Sequence, residues 1–326
     1  MDMEPSNDQE VEEIDETYPD DADSETEDEA DESISNIKAT IGSAIAMIIK
    51  SLWKLGAFLS DLLQDYVREV PESDSEDETD PQNFFYDYLL NDLNLPHSLE
   101  GNVTRDLFAK IVEHIPRWNS HFEVYSVAKK ICNRCKMNLE YPFAHSYGLN
   151  IVADSLRVLK AAFMDFTFET ILKVIRIHSK MLCNKEGCGK QNYVDSVILK
   201  LPSVFTIALE WENNETGEEI FETASILETE IDITAMYKYE GDSTFTKYRL
   251  ASMVCLCGDR YNCVAYERNR WVRYLSSETQ VIGDWDDVLS MFRNLNIRPE
   301  ILFYENAMQR DHMFIAQGSE ESEEEE

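Results

Sequence analysis

Four cysteines stand in two close pairs, Cys132-Asn-Arg-Cys135 and Cys183-x4-Cys188. Thiolates delivered in two pairs are a donor set for one tetrahedral zinc ion, and Gly187 and Gly189 would let the second pair sit in a tight knuckle. The irregular second spacing fits structural thiols as well. Structural thiols with no cofactor is the favoured reading, and zinc on Cys132, Cys135, Cys183 and Cys188 is its rival. Cys255 and Cys257 fall two apart on an expected strand, so they share one face and read as core. Cys263 reads as a buried thiol packing like a small hydrophobe. The histidines (His97, His114, His121, His145, His178 and His312) fall in an expected helical half or in the tail. With no motif around them, each reads as an ordinary surface or core side chain.

Charge is the next constraint. The 326 residues carry a formal charge of −35. Residues 1–32 hold 17 acidic residues and no Lys or Arg, residues 72–80 hold 6, and residues 319–326 hold 6. The remainder is only mildly acidic. Such runs self-repel and cannot bury apolar surface, so disorder is expected of them. The field they create argues against nucleic acid and anionic membrane as ligands and leaves protein partners for the acidic segments. Ser24, Thr26, Ser73 and Ser75 each precede an acidic residue by three positions, a weak casein-kinase-2-like pattern. The first thirty residues are acidic rather than basic-then-apolar, and seven cysteines is an odd number. Both point to an intracellular, reducing setting, cytoplasm or nucleus.

The elements that must position these groups follow from periodicity. Ile37, Ile41, Ile45, Ile48, Leu52, Leu55, Leu59 and Leu63 recur at helical spacing, and Lys50, Lys54 and Asp61 interrupt the run too often for a membrane span. One amphipathic helix over Ser35–Val67 is expected, closing before Val70-Pro71. Residues 71–82 read as an acidic linker. Helical spacing continues from about Asn83 to His178, divided by Pro116 and Pro142. Strands are expected at Phe205–Trp211, Tyr248–Cys257, Tyr261–Tyr266, Trp271–Tyr274 and Ile301–Tyr304. A turn is expected at Asn213–Gly217, and a short helix capped by Asp284 over Trp285–Leu295. Helices first and an antiparallel sheet later make the chain α+β.

Several stretches go further than periodicity. Leu201-Pro-Ser-Val-Phe-Thr-Ile-Ala-Leu-Glu-Trp211, Ser252-Met-Val-Cys255, Trp271-Val-Arg-Tyr274, Ile282-Gly-Asp-Trp-Asp-Asp-Val-Leu289 and Pro299-Glu-Ile-Leu-Phe-Tyr-Glu305 occur in this order. Together with Ser155-Leu-Arg-Val-Leu-Lys and Phe168-Glu-Thr-Ile-Leu-Lys-Val-Ile they resemble plant inactive ubiquitin carboxyl-terminal hydrolases, relatives of the ubiquitin-specific proteases. Ile48-Ile-Lys-Ser-Leu-Trp-Lys-Leu-Gly-Ala-Phe58 is similar to the family's nucleophile helix. The resemblance implies a papain-type α+β fold, a helical lobe packed against an antiparallel sheet. It implies one domain over residues 33–315, flanked by an acidic leader 1–32 and a tail 316–326.

It also implies where the catalytic groups should stand. Ser43 falls at the cysteine position, at the start of its helix, with Asn36 at the oxyanion-region Asn. Ala46 and Lys50 replace the helix Asn and Gln. The family's Gly-His-Tyr step reads Asp259-Arg260-Tyr261, so Arg260 replaces the base. Leu275, after Trp271-x-x-Tyr274, replaces the orienting carboxylate. A guanidinium with pKa above ~12 and no acceptor atom cannot take a proton. A pseudoenzyme that binds ubiquitin, a ubiquitinated protein or another partner is therefore expected. An acidic scaffold without ubiquitin contact is the alternative, and an active thiol-dependent hydrolase is disfavoured. The family's four-cysteine finger site precedes a Leu-Pro strand such as Leu201-Pro202. Cys183 and Cys188 suit it, while Cys132 and Cys135 lie further upstream than it requires.

Overall fold

The computed structural model describes residues 25–69, 80–93, 102–177, 180–193, 195–212 and 214–308. The disorder expected of residues 1–24, of most of the acidic linker and of the tail falls outside these residues. So do Ser24, Ser73, Ser75, His97, His178 and His312.

The first two helices are α1 (Glu25–Leu52) and α2 (Gly56–Glu69). In place of one helix over Ser35–Val67, the chain turns by 114° between them. Lys54 and Leu55 donate to Ser51 and Leu52, closing the end of α1 with i−3 bonds. The buried Glu305 carboxylate accepts the Ala57 N–H at 2.5 Å. It thereby satisfies a donor that the first turn of α2 leaves free, at the positive end of the helix dipole. The leader boundary also shifts, because α1 takes up residues 25–32. No Gly or Pro interrupts residues 25–41, and acidic residues at a helix N-terminus are favoured by the same dipole. Among the described residues no single helix is long and apolar enough to cross a membrane. The apolar stripe Ile41, Ile45, Ile48 and Leu52 is instead buried inside the fold.

Three helices complete this lobe: α3 (Pro81–Asp92) capped by Asp80, α4 (Val103–His114) capped by Asn102, and α5 (Pro116–Phe122). Pro116 opens α5 at a position that needs no N–H. Phe58 on α2 meets Trp118 and Phe122 of α5 edge-on at 5.1 and 5.4 Å, which fixes the bend against the lobe.

The helical stretch expected to reach His178 is broken by β1 (Val124–Ile131), β2 (Asn138–Ser146) and β3 (Leu149–Val152). Pro142, taken as a helix divider, lies in β2. That strand is the edge of a sheet ordered β2-β1-β6-β9, and Pro142 falls where its pairing with β1 shifts register, between Tyr141 and Ala144. The chain continues through α6 (Ala153–Ala162), α7 (Phe168–Ile177), the hairpin β4 (Lys180–Leu182) and β5 (Gln191–Tyr193), β6 (Asp195–Lys200) and β7 (Val204–Glu210). Thr216, in the expected turn, opens α8 (Gly217–Ile226) with a capping box. Then come β8 (Glu230–Asp232), α9 (Ile233–Met236), β9 (Lys238–Tyr239), β10 (Lys247–Cys257), β11 (Arg260–Glu267), β12 (Arg270–Tyr274), β13 (Thr279–Gly283), α10 (Trp285–Leu295) and β14 (Ile297–Asn306).

The central sheet runs β13-β12-β11-β10-β14-β7-β3, with β8 on β10, and is antiparallel except where β3 joins β7. Alternating side chains split between two cores. Ala251, Cys263 and Phe303 face the helical lobe, while Met253, Val264, Leu302 and Tyr304 face the second core with α8 and α10. The α+β fold expected from the sequence, a helical lobe against an antiparallel sheet, is the fold found.

Candidate functional site

Ser43 is half-buried on α1, and its hydroxyl oxygen accepts the Tyr261 N–H at 3.3 Å. Helix α1 and the start of β11 therefore meet at these residues. Ser43 is not at a helix start, however. It lies 18 residues into α1, about 27 Å from the free N–H groups of the first turn. The sequence pattern located the helix but not its beginning, because the acidic segment extends it upstream. A nucleophile here gains nothing from helix-terminal donors, which elsewhere lower a thiol pKa. Asn36 is exposed on the same helix, about two turns before Ser43, and its carbonyl accepts the Thr40 hydroxyl at 3.0 Å. It belongs to the helix and not to a separate oxyanion loop.

Arg260 is exposed at the first position of β11, opposite Cys257 of β10. Tyr261 packs on the helical-lobe side, so the strand pleat assigns Arg260 to the other face. Leu275 follows β12 directly, and its N–H donates to the Glu278 carbonyl at 2.9 Å. Because Cys263 pairs with Tyr274, Leu275 stands at the level of Asn262, one residue from Tyr261. The backbones of the three positions thus lie on adjoining elements, with Ser43 touching β11 and Leu275 on the neighbouring strand.

No histidine contact to Ser43 is found among the described residues. His121 is engaged by Asp61 at 2.9 Å and by the Phe58 ring, and His114 lies 3.9 Å from Asp92. His145 is in β2 rather than in a helix. A different polar network holds this region together. The Lys54 ammonium lies 2.8 Å from Glu267 and 3.1 Å from the Tyr274 hydroxyl, which donates to Glu267 at 2.7 Å. Burial works against the Lys54 charge, but the hydrogen bonds to Glu267 and Tyr274 outweigh it and hold its pKa above the ordinary lysine value. Burial likewise opposes the Glu267 carboxylate, yet the bond from Lys54 leaves its pKa below the usual range. Lys50 donates to Gln82 and lies over the Tyr274 ring at 5.2 Å. Sequence reasoning missed this network. Its signal was two lysines at i and i+4 on an apolar helix, facing the Tyr of the Trp-x-x-Tyr pattern.

One turn before Ser43 lies a cavity of about 250 Å³, lined by Thr40, Asn102, Glu210, Trp211, Asp259, Tyr261, Arg298 and Glu300 among others. Burial pushes the Glu300 carboxyl above the usual range although the Thr104 hydroxyl donates to it.

The second cluster is the four cysteines. Cys132 and Cys135 come from the β1–β2 connection, Cys183 and Cys188 from the β4–β5 hairpin. Their sulfurs all lie within 4.8 Å of one another, with Cys132–Cys188 at 3.8 Å and Cys135–Cys183 at 3.6 Å. Zn–S bonds of ~2.3 Å in a tetrahedron set an S···S edge of about 3.8 Å, so the donor set fits zinc. Gly187 (φ 74°) and Gly189 (φ 55°) take the left-handed backbone that wraps the second loop round its thiols. Cys183 N–H donates to the Lys190 carbonyl at 2.8 Å and Asn192 Nδ2 to Cys132 Sγ at 3.6 Å, a supporting outer shell. Backbone donation from Cys135 and, against burial, from Arg134 lowers the Cys132 thiol to about 6. The Lys185 N–H acts to lower Cys183, but burial and the neighbouring thiols push it up to about 12. The upstream position of the first pair, which counted against a shared site, is closed by strand pairing: β1 lies on β6, with Lys129 opposite Asp195.

The sequence profile of the family described as ubiquitin carboxyl-terminal hydrolase matches residues 7–304. No curated protein matches the sequence. Among solved structures, Ubp8 in the SAGA DUB module bound to monoubiquitin is similar at TM-score 0.51 and 13% identity, over 80% of this chain and 66% of that one. The yeast SAGA DUB module gives TM-score 0.51 and 14% identity over 82% and 67%. The Saccharomyces cerevisiae PAN2 pseudoubiquitin-hydrolase gives TM-score 0.48 and 14% identity over 81% and 84%. This chain thus spans just under two thirds of the length of the ubiquitin-bound Ubp8 chain. At such identity the likeness to the two SAGA structures speaks for the fold alone, and the profile speaks for kinship: the chain belongs to the ubiquitin carboxyl-terminal hydrolase family.

Proposed function

We propose that this family member performs no hydrolysis and acts by binding, with ubiquitin or a ubiquitin-bearing protein as its ligand. The setting of Ser43 carries this reading. It stands inside a helix with its oxygen against the Tyr261 N–H and has no histidine contact among the described residues, while Arg260 lies on the other face of β11 and Leu275 after β12 brings no carboxylate. A serine hydroxyl needs a positioned base, and losing one costs ~10²–10⁴ in rate. Ground-state binding rests on other surfaces and survives that loss. The acidic rim of the cavity beside Thr40, with Glu210 and Asp259, suits the basic Arg-Leu-Arg-Gly-Gly end of ubiquitin. In the same reading Cys132, Cys135, Cys183 and Cys188 hold one zinc ion, which cross-links the two loops and does no chemistry.

Titrating the full chain with ubiquitin, and with ubiquitin lacking its last two glycines, tests the binding. Saturable binding that weakens on truncation is expected. Absence of saturable binding at millimolar ubiquitin would favour an acidic scaffold without ubiquitin contact, for which the 17 carboxylates of residues 1–32 speak.

A further inference from the structure

The cysteine cluster sits in the most basic part of an acidic chain. Residues 124–138 and 180–193 carry seven Lys and Arg against one Glu, in a protein of formal charge −35. Arg134, Lys136, Lys185 and Lys190 are exposed in the two loops that hold the thiols, and Glu186 is the acidic residue among them. Arg134 donates to the Cys188 carbonyl at 3.0 Å, so it also braces the cluster. Zinc on four thiolates would be a dianion and would absorb part of this charge, but it leaves the lysines in excess. Exposed charges act over about one Debye length, ~8 Å at physiological salt, so the patch presents a positive surface despite the net charge of the whole.

We propose that this surface docks the chain's own carboxylate-rich end, Ser319-Glu-Glu-Ser-Glu-Glu-Glu-Glu326. Reach supports the assignment. β14 ends beside the β6–β7 connection, where the Asn306 N–H donates to the Ser203 carbonyl at 3.0 Å. From Ser203 back along β6 to Asp195, across to Lys129 and on to Cys132 is about eleven residues of strand, roughly 36 Å. The acidic run lies 11 to 18 residues beyond Met308, about 36–63 Å of extended chain. Tethering puts those carboxylates at an effective concentration of order millimolar, above that of a free acidic segment in solution. The same chemistry would accept an acidic peptide of another protein, and the test separates the two sources.

A fluorescein-labelled peptide of residues 316–326 is titrated at 50 and 150 mM salt. Its targets are the full chain, a full-length variant with the six tail glutamates changed to Gln, and that variant also carrying Lys136→Gln, Lys185→Gln and Lys190→Gln. Expected is saturable, salt-sensitive binding to the tail-neutral variant, several-fold weaker to the full chain, whose own tail competes, and about tenfold weaker when the lysines are removed. Equal binding to the tail-neutral variant with and without the lysines would overturn the surface. Equal binding to the full chain and the tail-neutral variant would overturn the tail as occupant and leave an external acidic peptide. An oligothymidylate that displaces the peptide at lower concentration than unlabelled peptide would reassign the patch to nucleic acid and overturn the proposal.

Discussion

The Ser43 hydroxyl accepts the backbone N–H of Tyr261 at 3.3 Å, tying the middle of α1 to the start of β11. The hydroxyl oxygen that would have to attack a substrate is here an acceptor in the helix-to-sheet contact. On the proposed reading, a thiol at position 43 alone restores nothing. Ser43→Cys should show no turnover of a ubiquitin C-terminal substrate. The triple variant Ser43→Cys, Arg260→His, Leu275→Asp should also stay at least ~10²-fold below an active family member, because α1 continues 18 residues upstream. Rates near an active enzyme from the triple variant would show that the upstream helix is no obstacle.

The four thiols should bind one zinc per chain. Metal analysis of the purified protein should give about one equivalent, and Cys183→Ala or Cys132→Ala should abolish it. A strong chelator should lower the melting temperature of the native chain and leave that of the Cys183→Ala variant unchanged. Zinc retained by either variant would exclude the tetrathiolate site.

The bend between α1 and α2 depends on Glu305. Removing its carboxylate leaves the Ala57 N–H unsatisfied and opens a small cavity at a fully buried position. Glu305→Ala should cost about 2–4 kcal/mol in denaturant unfolding, with Glu305→Gln costing less because an amide oxygen still accepts. A change below about 0.5 kcal/mol for Glu305→Ala would mean that other bonds fix the bend.

Much of the sheet was readable. β10, β11, β12 and β14 announce themselves by dense Val, Tyr, Cys and aromatic content, and Asp284 marks the start of α10 with its capping box. The bend at residues 53–55 was not, because the apolar repeat runs straight through it and the groups that hold it, Glu305 on the Ala57 N–H and the rings of Trp118 and Phe122 on Phe58, lie far along the chain. The same holds for the cysteines. Their spacing along the chain says little, while the register of β1 on β6 and the β4–β5 hairpin bring them together. The Lys54–Glu267–Tyr274 network likewise depends on how α1 lies on the hairpin. Local pattern names elements, and long-range pairing assembles sites.

That network gives a pH signature. The Lys54 pKa is raised, so its contribution is full below the unfolded value of about 10.4 and is lost as pH rises through the higher folded value. The Glu267 pKa is lowered, so its contribution is full above about 4.3 and is lost as pH falls through the lower folded value. Both groups are partly exposed, so the effect should be about 1 kcal/mol or less after screening. The difference in stability between the native chain and Lys54→Met should be flat from about pH 5 to 9 and shrink outside that window. A difference that changes steadily across the neutral range would contradict the assignment.

The proposal that this family member has lost its chemistry is tested most directly by incubating residues 1–326, purified without chelator, with a ubiquitin C-terminal fluorogenic substrate at neutral pH. With Ser43 in mid-helix against the Tyr261 N–H and no histidine contact to it among the described residues, release should equal that of buffer and be unchanged by Ser43→Ala. Saturable turnover by the unmodified chain, above all turnover that Ser43→Ala abolishes, would contradict it.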